Sequence, residues 1–86
     1  MNHFCPVCGY KLDFAPWVDT SPADEICPSC GIQFGYDDQA GGDLAARNNV
    51  YDTWRESWIQ KGMRWFSSGM AQPPDWNPEE QLHRLK

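Results

Sequence analysis

The sequence predicts a small, metal-stabilised α+β domain: a pair of cysteine knuckles with short β-hairpin arms, then a helix and a short C-terminal helix. Three observations predict it. Cysteines occur as two matched doublets, Cys5-Pro6-Val7-Cys8-Gly9 and Cys27-Pro28-Ser29-Cys30-Gly31. Apolar residues alternate after each doublet, the period-two signature of short strands. Beyond residue 43 the spacing of large apolar residues becomes helical. A chain of 86 residues has room for one domain and one small core. The division expected is a metal-binding half over 1–38 and a helical, tryptophan-rich half over 39–86, within a single domain, 1–86.

Each element follows from its local chemistry. Phe4, Tyr10, Leu12 and Phe14 alternate around the first doublet, and Ile32, Phe34 and Tyr36 after the second, so a hairpin-like arm is expected beside each. Between them, Ala15 to Glu25 carries Pro16 and Pro22 among Asp, Ser and Thr, which resists helix and reads as an exposed spacer loop. Asp37 to Gly42 reads as a turn, its aspartates solvated or capping, with Asp43 as the N-cap of a helix from Leu44 to about Lys61. A calcium loop is disfavoured there because the alternating carboxylates and distant glutamate of an EF-hand are missing. Leu44, Tyr51, Trp54 and Trp58 share one face of that helix, and Gly62 follows as a C-terminal cap. Asn77-Pro78-Glu79-Glu80 then presents an N-cap, a first-turn proline and two first-turn acids, predicting a last helix from Pro78 to about Leu85.

The doublets carry the chemistry. Two residues between cysteines let the backbone turn both sulfurs towards one ion; proline stiffens that turn, and the glycine beyond can take positive φ. The 18 residues between Cys8 and Cys27 fall within the spacing of structural zinc sites. Cys5, Cys8, Cys27 and Cys30 are therefore the expected ligands of one structural zinc ion, with iron as the alternative because both accept tetrahedral sulfur. Disulfides are the rival use of the same cysteines. A catalytic Cys-x-x-Cys would open a helix in a βαβ unit, which this pattern does not resemble. Four thiolates leave no open coordination position, His3 and His83 are not needed as ligands, and no nucleophile–base pair stands out. A non-enzymatic protein is expected.

Composition narrows the partners. The formal charge is −5, and it becomes about −7 with four thiolates on one Zn²⁺. The seven basic residues are scattered, which argues against a phosphate-binding face, so nucleic acid is an unlikely partner. No stretch approaches the ~20 apolar residues of a membrane span. The start of the chain lacks the basic and apolar runs of a secretory signal, so a cytoplasmic location is expected.

Two family resemblances attach to these residues. The chain resembles the bacterial cysteine-rich CPCC domain through Cys5-Pro6-Val7-Cys8-Gly9-Tyr10, Glu25-Ile26-Cys27-Pro28-Ser29-Cys30, Asp37-Asp38, Gly41-Gly42 and the helix bearing Ala45, Ala46 and Arg47. The likeness covers about half of the chain and implies a zinc-ribbon-like fold. Val7 stands where that family carries the extra cysteine it is named for, so any role of that cysteine is not implied here. The knuckles also resemble those of rubredoxin, including Tyr10 and Asp13 after the first pair, which implies a Cys₄ iron centre for electron transfer. The gap between the pairs is shorter here, and rubredoxin has no counterpart to the long aromatic tail.

That tail holds four of the five tryptophans. Packing against the metal-binding half is the favoured use of such large side chains. The functional alternative is a protein-binding patch of Trp54, Trp58 and Trp65, rimmed by Arg55 and Arg64, since tryptophan and arginine are enriched at interface hot spots. The expected function is a zinc-binding structural or binding module that contacts an unidentified protein as an adaptor or inhibitor. Neutralising a basic partner is one form this could take, argued from charge alone. Rubredoxin-like electron transfer is the alternative.

Overall fold

Each Cys-Pro-x-Cys-Gly segment closes on itself in the same way. Gly9 N–H donates to the Cys5 carbonyl at 2.8 Å and Cys5 N–H to the Tyr10 carbonyl at 2.9 Å; Gly31 to Cys27 and Cys27 to Ile32 repeat both bonds at 2.8 and 2.9 Å. The turn reverses only because its glycine enters the left-handed region, with φ 78 at Gly9 and 84 at Gly31. A side chain would also collide there, with the Gln81 carbonyl at Gly9 and the Phe66 ring at Gly31. The computed structural model in which these turns are seen describes residues 3–85.

Strands β1 (His3–Phe4) and β2 (Lys11–Leu12) pair antiparallel across the first knuckle, His3 opposite Leu12. A second antiparallel hairpin joins β3 (Trp17–Val18) to β4 (Ser21–Pro22). It lies in the segment expected to be a spacer loop. Asp19 makes the reversal possible by adopting φ 55, and Pro22 is tolerated because a two-stranded ribbon has an edge where its missing N–H is not needed. The arm expected after the second knuckle reduces to a single bridge between Ile26 and Gln33. Beyond Phe34 the chain turns, because Asp37 holds Gln33 N–H with its carboxylate at 2.8 Å and returns its own N–H to the Gln33 carbonyl.

Helix α1 (Leu44–Gln60) starts where the Asp43 carboxylate accepts from Ala45 and Ala46 N–H, and α2 (Pro78–His83) where Asn77 accepts from Glu80 N–H. A 3₁₀ turn over Ala40–Gly42 precedes α1. The face α1 buries carries Arg47, Tyr51 and Trp58, with Trp54 half-buried. Leu44, expected on this face, is 68% exposed: it opens the helix, ahead of Arg47, where the buried face begins. The core lies around the cysteines: Val7, Leu12, Ile32 and Phe34 are buried beside them, with Tyr51 and Trp58 from α1. Phe4 and Tyr36, the ends of the alternating runs, remain exposed. The Cα radius of gyration of 12.3 Å matches the roughly 12 Å of a folded chain this long.

Candidate metal centre

The two knuckles face each other, bringing four cysteine sulfurs, 19 to 25 residues apart from one knuckle to the other, to within 4.8 Å of one another. All four are free and buried. Between knuckles, Cys5 Sγ lies 3.8 Å from Cys30 Sγ and Cys8 Sγ 3.7 Å from Cys27 Sγ. A tetrahedral ion with metal–sulfur bonds of about 2.3 Å sets its sulfurs about 3.8 Å apart, the separation of these two pairs. A disulfide holds its sulfurs near 2.05 Å, far closer than any of these pairs.

Thiols this close influence one another's protons. Burial pushes the Cys5 thiol well above the usual value. Hydrogen bonding with Cys27, then with Cys5 and Cys8, pushes Cys30 up as well. Burial acts to raise Cys8 too, but hydrogen bonds from Cys27, Cys30 and Cys5 outweigh it and hold its thiol below the usual value. The protons of Cys5, Cys8 and Cys30 are thus governed by burial and by the neighbouring sulfurs, and ligand thiols give up their protons on binding a metal ion.

The rest of the chain serves the backbone of the knuckles. Arg55 of α1 spreads its guanidinium over the first, Nε donating to the Val7 carbonyl at 2.6 Å and an Nη to the Pro6 carbonyl at 2.7 Å. Gln81 and Arg84 donate to the Cys8 and Gly9 carbonyls at 3.3 and 3.0 Å. On the second knuckle, Trp54 donates to the Cys30 carbonyl at 3.0 Å, and the N–H groups of Phe66 and Ser67 reach the Pro28 carbonyl. The buried Ser29 hydroxyl accepts from Trp76 and Gln81. Such outer contacts fix the ligand loops and are part of what sets metal affinity.

The tryptophans are tied into this frame. Every indole N–H has an acceptor: Trp17 on Asp38, Trp54 on Cys30, Trp58 on the Arg64 carbonyl, Trp65 on the Met70 carbonyl and Trp76 on Ser29. Trp65 also packs edge-on against both Tyr10 and Trp76, at 5.5 Å between centroids. Trp54, Trp58, Arg64 and Trp65 line one open cleft, whereas Arg55 is engaged on the first knuckle and is not part of its lining. Four of the five residues considered for a protein-binding patch thus share one cleft, and Arg55 lies outside its lining.

Sequence reasoning missed Asp38. Expected to be solvated or capping, it is fully buried and accepts from Trp17 Nε1 at 2.8 Å, Tyr51 hydroxyl at 2.7 Å and Gly35 N–H at 2.6 Å. Its carbonyl accepts from Arg47 Nε at 2.9 Å, and the Arg47 guanidinium lies 3.7 Å over the Trp17 ring. Burial, then the hydrogen bond to Asp38 and the charge there, push the Tyr51 hydroxyl above its usual pKa. This network ties β3 and the 33–38 turn to α1. Among the described residues, no buried side-chain nitrogen or oxygen lacks a hydrogen-bond partner.

Fold and site together define a small α+β protein with a buried four-cysteine cluster that could hold a metal ion such as zinc or iron. No family model, curated protein or solved structure matches the chain. No helix among the described residues is long and apolar enough to cross a membrane.

Proposed function

We propose that the chain is a zinc-stabilised, non-enzymatic protein-binding module of the cytoplasm, with rubredoxin- or zinc-ribbon-like knuckles of the kind found in CPCC domains. The observation that carries the reading is the closed donor set: Cys5, Cys8, Cys27 and Cys30 lie within 4.8 Å of one another and are buried. Four protein sulfurs complete a tetrahedral shell, leaving no position at which a substrate or water could be activated. The ion's contribution is then to folding, about 10 to 16 kcal/mol for structural zinc, in a half that buries few large apolar side chains. What remains for function is the surface.

Elemental analysis of the freshly purified protein with its visible spectrum tests the metal. One zinc per chain and no colour supports the structural reading. One iron per chain with thiolate-to-iron absorption and a reversible one-electron couple replaces it with electron transfer. Affinity capture that returns only nucleic acid, or nothing, counts against a protein partner.

A further inference from the structure

The cleft beside the second knuckle has a chemistry that selects its occupant. It measures about 810 Å³ and is walled by Trp54, Trp58, Trp65 and Phe66, with Lys61 and Arg64 along the same lining. Its walls are held in place before anything binds. Trp54 and Trp58 are anchored through their indole N–H groups, and Phe66 by its backbone N–H on the Pro28 and Ser29 carbonyls at 3.1 and 3.2 Å. Phe66 nevertheless leaves 57% of its surface in solvent. Rigid aromatic walls with exposed apolar area are the usual make-up of a peptide-binding hot spot, since little side-chain entropy is lost on contact.

Charge decides which segment fits. In a chain of net charge −5, Arg47 is committed to Asp38 and Trp17, Arg55 to the first knuckle and Asp52, and Arg84 to Gly9. Lys61 and Arg64 are exposed and, among the described residues, form no ion pair. Asp37, the one carboxylate on the lining among the described residues, already accepts from Gln33 N–H. The cleft is thus a local reversal of the molecule's sign.

Building on the binding-module reading, we infer that this cleft docks an acidic amphipathic segment of a partner protein, its aromatic or aliphatic side chains on the tryptophan wall and its carboxylates on Lys61 and Arg64. The inference reverses the expectation drawn from net charge, which favoured a basic partner. Like charges would also keep acidic copies of this chain from covering one another's clefts except through the basic pair.

Selection of short random peptides displayed on phage against the zinc-loaded protein tests it. The expected result is enrichment of sequences combining Phe, Trp, Leu or Ile with Asp and Glu, which bind more weakly as salt rises. Synthetic copies should lose affinity on the order of tenfold against Lys61→Glu/Arg64→Glu. Both positions are exposed, so zinc content and circular dichroism of the double variant serve as controls for folding. Enrichment of basic peptides, equal binding to the double variant, or no enrichment would overturn the inference. So would a concentration-dependent dimer, in sedimentation, that the double variant abolishes. Zinc-loaded protein that captures a partner through another face would refute the cleft alone and leave the binding-module reading standing.

Discussion

Asp38 joins three segments of the chain through one buried carboxylate. One carboxylate satisfies an indole, a phenol and a backbone N–H contributed by segments up to 34 residues apart, Trp17 to Tyr51. Asp38→Ala would leave these donors stranded in a site from which water is excluded. At about 1–3 kcal/mol for each buried donor left unpaired, a loss on the order of 3 kcal/mol is expected, read as a lower midpoint in urea titration of the metal-loaded protein. Tyr51→Phe removes one bond and should cost about 1 kcal/mol. The same tyrosine sets an alkaline limit. Its pKa is raised in the folded state, by burial first and by Asp38 second, above the roughly 10 of an unfolded tyrosine. Below that unfolded value both states keep the proton and the full contribution is present; above it the unfolded state releases its proton first, and stability falls until the folded pKa is passed. Denaturation midpoints measured across this range should decline in the native sequence, and the part of the decline due to this group should vanish in Tyr51→Phe. An identical alkaline slope in both proteins would refute the role assigned to Tyr51.

Helix α1 connects the elements, because each turn of its inner face meets a different part of the cysteine half: Arg47 and Tyr51 the Asp38 network, Trp54 the second knuckle, Arg55 the first. The Arg55 fork spans two adjacent carbonyls, a geometry that a lysine ammonium on a flexible stem does not reproduce. Arg55→Lys keeps the charge but should loosen the first knuckle, with a loss of roughly tenfold or more in metal retention against a competing chelator. Unchanged retention would show that the carbonyl contacts are incidental to the site. The helix also shows where sequence is readable. Its start and that of α2 were legible because Asp43 and Asn77 act on N–H groups two or three residues away. The four cysteines were legible for the same reason, each knuckle being a local turn, and the spacing alone indicated that the two would meet. Leu44 was misread because period says which residues share a face, not how far along the helix the core extends. The β3–β4 hairpin was hidden because two-residue strands are too short to show any alternation. Asp38 was unreadable because all its side-chain donors except Gly35 lie 13 or 21 residues away.

At the scale of the molecule, the cysteine-bearing segments and the helices share one set of interactions. Nearly every carbonyl in the two knuckles is taken up, either within its own turn or by a donor from beyond residue 53: Arg55, Trp54, Phe66, Ser67, Gln81 and Arg84. Conversely, α1 finds most of its buried neighbours among the cysteine loops, since the core is centred on Cys5, Cys8, Cys27 and Cys30 with Val7, Ile32 and Phe34. An isolated helix of 17 residues in this composition, with no tertiary face to bury, would be marginal in water. Removing the metal should therefore not melt the cysteine half alone. Four buried thiolates without a counter-ion repel one another, and protonating them gives up the free energy that held the knuckles together. As the knuckles open, the acceptors for Trp54, Arg55 and Gln81 go with them. Chelator titration is expected to abolish the helical circular dichroism and shift the tryptophan fluorescence in a single transition, restored by returning zinc. Acid should do the same as protons displace the metal from its thiolates. A helical signal that survives verified removal of the metal would mean that α1 and α2 are held by the aromatic contacts alone, and that the ion orders only the loops that bind it.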